Sequence, residues 1–458
     1  MVAMTRSSTA ESRGHAVASR IDAADVAAAC VTVAVAAAAT IGADSRWAAA
    51  LGRTIAAKHS IPRGVPYASA PSSHWPNVPV LAELILHWLA SFGDRGFLLV
   101  QVVAVGLAFV ILALDMRRRG ARELPSAIAM FLVAVGAGST LFVIRIQLFS
   151  LVLFPLLALL LREETHSPSR RVWLVPVVLA VWSNLHGAVL IGLAVATAYL
   201  VFERARKRLL ESALVFVVSL VAICATPALW RTPEYYRGVL QNEAARRGVG
   251  LWAPLSPSSK TDLALIATAV LLVGIALWKR PRLWEVVAFA GLAILTVRTA
   301  RSGVWLLLFA APPAAAAVSL QSSMRRPWPA VVVAALSIVL VYEVAIGPHA
   351  GDASPRLIAE TVRVADGTPV LADSPTAEQV ALGGGRVWMS NPLDAFMRRD
   401  QRLYLDWIDG RSDAVAAYAH APRAVLVHRG SAADNLTKMQ TQFRLVDEDA
   451  SVALYVRR

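Results

Sequence analysis

The chain has 458 residues, 57% of them hydrophobic and only 17% charged, with a mean hydropathy of +0.55. That composition excludes an ordinary water-soluble globule and points to a polytopic membrane protein built mainly from helices. The formal charge of +14 would suggest nucleic acid in a soluble chain, but the basic residues sit in short clusters between apolar runs, a placement that reads as topology and not as nucleic-acid binding.

Residues 1–21 form a polar N-terminal tail with Arg6, Arg13 and Arg20. The first apolar run, 26–43, ends in Ile41-Gly42-Ala43, small enough to pass for a signal-peptide end; the many later runs favour an uncleaved anchor. Asp44-Ser45-Arg46-Trp47 follows at the water boundary, with Arg53, Lys58 and Arg63 close behind. Two readings of Asp44 stand side by side. It is a catalytic base facing the outside of a membrane, with the basic groups holding an anionic, lipid-linked substrate, or it ends or caps a helix starting near Ser45. Ser45 to Lys58 reads as an amphipathic helix lying on the surface. Five prolines between 62 and 79 then break regular structure. His74-Trp75-Pro76-Asn77 precedes Val80 to Trp88, an apolar-periodic stretch that carries Glu83 and is too short to span, so it is expected at the interface.

Apolar runs follow at 96–114, 124–142, 146–161, 172–185, 187–202, 212–229, 262–278, 284–297, 303–320 and 328–347. With the first they make about eleven spans, each near or below the ~20 residues a crossing needs. The links at 115–123, 162–171, 203–211, 278–283 and 321–327 are rich in arginine and lysine. If all eleven runs cross, every such link shares the side of the N-terminus, which positive-inside logic places in the cytoplasm. Residues 44–95, the loop 230–261 and everything after 347 then lie outside. Cys30 and Cys224 both fall inside apolar runs, so neither a disulfide framework nor a zinc site is expected.

Three of the links are short reversals instead. The uncharged run 172–202 is too long for one helix and must turn at Asn184-Leu185-His186-Gly187; Gly136, Gly138 and Arg145 mark a second turn, and Arg298-Thr299-Ala300-Arg301 a third. These place Arg145, Gln147, Asn184, His186, Arg298 and Arg301 on the outer side. Ionisable groups at such depth are costly and read as functional; against that, arginines snorkel and end helices, and a histidine there is as readily a satisfied structural one. The loop 230–261 carries Trp230, Tyr235, Tyr236, Arg237, Arg246, Arg247 and Trp252, suited to an interfacial lid or to a plain aromatic belt.

Residues 348–458 change character. From His349 on there are fourteen Asp or Glu against thirteen Lys or Arg, so the net positive charge belongs to residues 22–347 and their tail. Short strand-like runs at 369–372, 386–389, 424–427 and 452–456, with helical stretches near 354–364 and 401–418, predict a small α/β domain outside the membrane. Gly383-Gly384-Gly385 lacks nucleotide-loop spacing and reads as a turn.

The order of these features resembles bacterial GT-C superfamily glycosyltransferases. The resemblance rests on Asp44-Ser45-Arg46-Trp47, Gly52-Arg53, Ile61-Pro62, His74-Trp75, Leu81-Ala82-Glu83, Arg145-Ile146-Gln147, Trp182-Ser183-Asn184-Leu185-His186-Gly187 and Arg298 to Arg301 before an Ala-Pro-rich helix. It implies a polytopic bundle and a sugar donor carried on a polyprenyl phosphate. By position it implies Asp44 as general base, Glu83 as a second acid, and Arg46, His74, Arg145, Gln147, Asn184, His186, Arg298 and Arg301 as substrate-binding residues. The implied partners are the bilayer and an envelope glycan or protein acceptor, in the plasma membrane; no cofactor is required, although a divalent cation is compatible. The chain departs from the family where an acid usually follows Ile-Pro: Arg63-Gly64-Val65-Pro66 has none. An inactive envelope-binding scaffold and a lipid-linked saccharide transporter are the competing readings; the absence of a clear internal repeat and the gathering of ionisable groups at one face weigh against the transporter.

Overall fold

The structure, a computed structural model, describes residues 21–72, 74–318, 353–421 and 423–458, with a few positions between 332 and 347. The polar tail, the link with Arg325 and Arg326, and most of the run 328–347 lie outside the described residues.

The first helix, Ala23–Ala37, starts at Asp22, which caps it and is bonded in return by Asp25. The chain then makes the two-residue strand β1 (Thr40–Ile41) and enters the helix Ala43–Lys58. Val80–Ala90 and the long Asp94–Arg118 follow, then Glu123–Gly136, β2 (Val143–Ile144) and Leu148–His166. The uncharged run divides where its length demanded, into Leu174–Ser183 and Val189–Tyr199 around the turn at 184–188. Leu283–Arg298 and Gly303–Ala317 likewise meet at a short 3-10 turn, Ala300–Ser302.

The outer faces of these helices are apolar. Leu99, Val103, Leu107, Val110 and Leu114 form one exposed stripe along Asp94–Arg118, and Leu210, Leu214, Val217 and Val221 another along Leu209–Ala222. Their spacing of three and four residues puts each set on a single helix face. Continuous apolar surface of this extent is stable against hydrocarbon, not water. Among the described residues two helices, Asp94–Arg118 and Lys260–Trp278, are long and apolar enough to cross a bilayer by length and composition. Ala23–Ala37, Glu123–Gly136 and Leu209–Ala222 are shorter, so the count of eleven crossings stands as a proposal.

One end of the bundle is tied by charge. The buried Arg162 guanidinium reaches Asp115 and Glu285 and donates to the Phe309 carbonyl at 2.6 Å. Arg119 also reaches Glu285 at 3.1 Å, Arg204 pairs with Glu164 at 2.7 Å and Glu211 at 2.9 Å, Arg282 with Glu203 at 3.0 Å, and Arg117 with Asp22 and Asp25. The basic links at 115–123, 162–171, 203–211 and 278–283 therefore meet at one end of the molecule. Carboxylates from neighbouring helix ends neutralise them, because an unpaired charge buried there costs several kcal/mol.

The opposite end carries β1, β2, the three reversals and the remaining polar chain. The helix Ala43–Lys58 does not lie on the surface as its amphipathicity suggested. Residues 45–52 are all buried. Their small side chains let Val80–Ala90 approach so closely that a Cβ on Gly52 would fall 2.0 Å from the Glu83 carbonyl oxygen. The other flank is held by the C-terminal region, where Arg53 donates to the carbonyls of Leu382 and Ala381 at 2.6 and 2.8 Å. Val80–Ala90 turns Leu81, Leu84 and Trp88 outward, in keeping with an interfacial helix.

Residues 353–458 form a four-stranded mixed sheet in the order β3 (Leu371–Ala372), β4 (Ala424–His428), β6 (Val452–Arg457), β5 (Phe443–Glu448). β3 runs parallel to β4, and the other pairs are antiparallel. The expected strand at 386–389 is reduced to Val387, which bridges Val370 and, from the segment between Lys58 and Val80, Ala68. The expected helix 401–418 is Arg398–Ile408 followed by a 3-10 stretch, Ser412–His420. One hydrophobic core runs from Trp47, Leu51 and Trp75 into Trp388, Tyr404 and Leu454, so loop and sheet are packed as one body.

Two predictions follow from this packing. Gly52→Ala should gain up to about 1 kcal/mol in helix propensity, but a methyl group 2.0 Å from a backbone oxygen forces the helices apart. Overpacking of ~1–3 kcal/mol or more should win, and thermal unfolding of the solubilised variant reads the loss. Glu83 is fully buried, and burial pushes its carboxyl from 4.5 up to about 8 despite the Asn77 hydrogen bond. The folded state holds that proton where the unfolded chain has released it, so stability should fall as pH rises from about 4.5 to 8 and level off above. Asp394 completes its own part of the fall by about 6. Glu83→Gln should flatten the interval from pH 6 to 8 by roughly 1–3 kcal/mol, read as the pH dependence of the melting temperature.

Candidate functional site

The site is built where β1 and β2 pair in parallel, Thr40 opposite Val143 and Ile41 opposite Ile144. The Ile144 carbonyl accepts two bonds from the other strand's continuation, from the Gly42 N–H and the Ser45 hydroxyl, each at 2.9 Å. This fastens the start of the helix Ala43–Lys58 to the segment 143–147. A Cβ on Gly42 would stand 3.0 Å from Arg145 Cγ and from the Ile144 oxygen, tighter than most side-chain contacts, so glycine suits the approach. Gly42 is also the cap residue of the helix. Asp44 is therefore not the N-cap; it lies in the first turn, half-buried, where the helix dipole favours a carboxylate by about 0.3–1 kcal/mol.

Around Asp44 the structure gathers cations from distant parts of the chain. Arg301, in the turn Ala300–Ser302, interacts electrostatically with both Asp44 and Arg145, and His186 interacts with Arg301. The Arg301 guanidinium lies over the Trp252 ring, 4.3 Å from its centroid, a cation–π contact that fixes its direction. The His186 ring is fixed by a relay. Trp182 Nε1 donates to Ser150 Oγ at 2.7 Å, Ser150 Oγ stands 2.8 Å from His186 Nδ1, and the Ala188 N–H points at the same nitrogen at 3.2 Å. With an N–H aimed at it, Nδ1 is the accepting nitrogen, Ser150 is its donor, and the ring proton sits on Nε2.

Two cavities open beside this cluster. The larger, ≈ 840 Å³, has Gln147, His186, Arg298 and Arg301 at its polar end. Its walls run down the facing sides of Val189–Tyr199 and Leu283–Arg298, as far as Ala198 on one helix and Val287 on the other. At 1.5 Å per residue that is an apolar groove about 15 Å deep. The smaller, ≈ 310 Å³, lies between the proline-rich segment 71–76, the helix Thr232–Gln241 and the turn at Asp394. Asp44 lines neither; it touches both electrostatically, through Arg301 on one side and Tyr235 on the other. Burial raises the Asp394 carboxyl from 3.8 to about 6, against the opposing bond from Trp75 Nε1 at 2.7 Å.

The expected residues thus divide. Asp44, Arg145, Gln147, His186, Arg298 and Arg301 come together. Glu83 points into the core, bonded by Asn77 at 2.7 Å, and lines neither cavity. Asn184 ties the turn to its surroundings, donating to the carbonyls of Ala180 and Ala225 at 2.9 and 2.7 Å. Arg46 is buried within its helix, and His74 stands on the rim of the smaller cavity with its carbonyl taken by Arg231 at 2.6 Å. After Ile61-Pro62 the chain turns at Gly64, which adopts φ +73, and a Cβ there would meet the Ser72 carbonyl oxygen at 2.3 Å. Sequence reasoning passed over Ser150, which lies in the first turn of the apolar helix Leu148–His166, three residues after Gln147. It also passed over Asp394, which nothing in its local pattern distinguishes. Among the described residues no three His, Cys, Asp or Glu gather into a metal-binding group, and no step below is routed through a cation.

No protein-family model and no curated protein sequence matches the chain. Solved structures do. ArnT from Cupriavidus metallidurans in the apo state is 14% identical with a TM-score of 0.54, over 94% of this chain and 97% of that one. The same protein bound to undecaprenyl phosphate gives 11% identity and a TM-score of 0.50, over 94% and 96%. The arabinofuranosyltransferase AftD from Mycobacteria gives 15% and 0.49, over 94% of this chain but 41% of that one, a likeness too slight to argue from. At these identities what is shared is the fold: over 94% of its length the chain has the architecture of these two ArnT structures.

Proposed function

We propose that the protein is a membrane glycosyltransferase that moves a sugar from a polyprenyl-phosphate donor to an acceptor outside the cytoplasm, with Asp44 as general base. One observation supports this reading most: Arg301, which interacts electrostatically with the half-buried Asp44 and with Arg145, stands with Arg298 at the polar end of a deep apolar groove. An isoprenoid tail is apolar and its phosphate anionic, and the groove offers those two surfaces in that order. A solved structure of the same fold holds undecaprenyl phosphate, which supports a lipid of this class here.

The chemistry follows from the placement. The acceptor hydroxyl oxygen attacks the anomeric carbon while Asp44 takes its proton. The bond from that carbon to the phosphate oxygen breaks, and the polyprenyl phosphate leaves with one more negative charge than it had in the donor. Arg145, Arg298 and Arg301 stabilise that charge without titrating, and His186 adds an N–H from Nε2. Glu83, turned into the core, is assigned to holding the helix Val80–Ala90 and not to the reaction. The end tied by arginine pairs is assigned to the cytoplasm by the positive-inside rule, which puts Asp44 and residues 353–458 outside the plasma membrane.

Asp44→Asn should lower transfer from membrane-extracted lipid-linked sugars by about 10²–10⁴-fold while leaving undecaprenyl-phosphate binding intact. Transfer at the wild-type rate would remove Asp44 from the mechanism. Arg301→Ala should weaken undecaprenyl-phosphate binding roughly 10- to 100-fold, the loss of one charge-assisted contact. Native mass spectrometry or lipid titration of the purified variant reads this directly.

A further inference from the structure

The two cavities beside Asp44 differ in charge. The larger is lined by two arginines, the smaller by two carboxylates, Asp394 and Glu234, with no lysine or arginine among the described residues of its wall. Glu234 is already paired, with Arg231 at 3.0 Å. Asp394 is held from one side by the Trp75 indole N–H through Oδ2, an arrangement that fixes the carboxylate and commits one of its two oxygens. The remaining wall is aromatic: Trp75 and Tyr235 have ring centroids 6.1 Å apart at 56°, and Phe396 and Met397 close the far side. Trp47, on the same helix face as Asp44 three residues earlier, packs edge-on against Trp75 at 6.4 Å. The smaller cavity is therefore joined by side-chain contacts to the helix that carries the base.

We infer that the ≈ 310 Å³ cavity is a saccharide subsite that seats the acceptor. Fixed carboxylate oxygens accept hydrogen bonds from hydroxyl or ammonium groups, and aromatic rings cover the apolar C–H faces of a sugar. An acidic wall repels phosphate, so the lipid-linked donor is excluded from it and confined to the arginine-lined groove. Its volume suits one sugar ring rather than a lipid. Three separate segments wall it, the proline-rich segment 71–76, the helix Thr232–Gln241 and the Asp394 turn, so residues 353–458 contribute directly to the acceptor's position. The acceptor role rests on the transferase reading above; the binding of a saccharide does not.

The full chain in lipid nanodiscs, with methyl glycosides of glucose and glucosamine as probes, tests this by saturation-transfer NMR. Wild-type protein should transfer saturation to the ring protons of at least one probe. Asp394→Asn keeps an oxygen for the Trp75 N–H but removes the charge, and should weaken that binding about tenfold. Met397→Trp, at an exposed rim position, should block the mouth and abolish the signal, and it answers the question even if Asp394→Asn folds poorly. Both variants should bind undecaprenyl phosphate as the wild type does. No saturation transfer in the wild type, or equal transfer in all three proteins, overturns the subsite. No transfer from membrane-extracted lipid-linked sugars by the wild-type protein would instead sink the transferase reading and leave the saccharide site standing.

Discussion

The parallel pairing of β1 with β2 is only two residues long on each side, yet the candidate site depends on it. Segments about a hundred residues apart in sequence meet there. Two further bonds, from the Gly42 N–H and the Ser45 hydroxyl, converge on the Ile144 carbonyl. Each such bond contributes only about 1 kcal/mol, but together they fix both the direction of the helix that starts at Ala43 and the exit of Arg145. The closeness of Asp44 to the cations follows from this backbone stitch. Long side chains alone would hold it poorly, because they lose rotamer entropy on being ordered.

The two ends of the bundle treat charge differently. At one end the arginines are matched by carboxylates at distances near 3 Å, as with Arg204 and Glu164 or Arg282 and Glu203. Those groups hold the helix ends together. At the other end Arg298 and Arg301 line a cavity and Arg301 is oriented by an aromatic ring. Pairing satisfies a charge; stacking on tryptophan directs one without neutralising it. That contrast separates the structural arginines from the candidate functional ones, and sequence position alone does not, since both sets sit at the ends of apolar runs.

Much of the bundle was legible because hydrophobic run length constrains a chain strongly. The thirty-one uncharged positions of 172–202 could only be two helices, and the turn fell at Asn184–Gly187 because glycine and asparagine stand there. Arg145, His186 and Arg301 were likewise found because a polar group between apolar runs has few places to go. What was not legible depended on contacts across the fold. The helix Ala43–Lys58 looked like a surface helix, because nothing local announces that residues near 381 will cover it. Glu83 and Asn184 share the polarity of their neighbours in the motif, but their partners turn them into ties. Asp394 gains its interest only from Trp75, more than three hundred residues earlier. Three of the four strands were visible: β3 falls within the apolar run 369–372, and β4 and β6 are apolar and buried, whereas β5 reads Phe-Arg-Leu-Val-Asp-Glu and hides its alternation behind charge at an edge.

The position of Arg301 between Asp44 and the groove bears on how a base and an anion site coexist. A carboxylate held by a cation alone loses basicity, since its charged form is stabilised. A phosphate entering the groove adds a second anion beside the same guanidinium, and the positive charge must then serve both. In the proposed reaction the phosphate gains negative charge as the sugar departs, so the pull of Arg301 toward the groove is greatest when Asp44 is accepting its proton. The protonated acid no longer needs the cation at that moment. In the proposed reaction a single arginine that faces both groups would thus serve the leaving phosphate and the base by electrostatics.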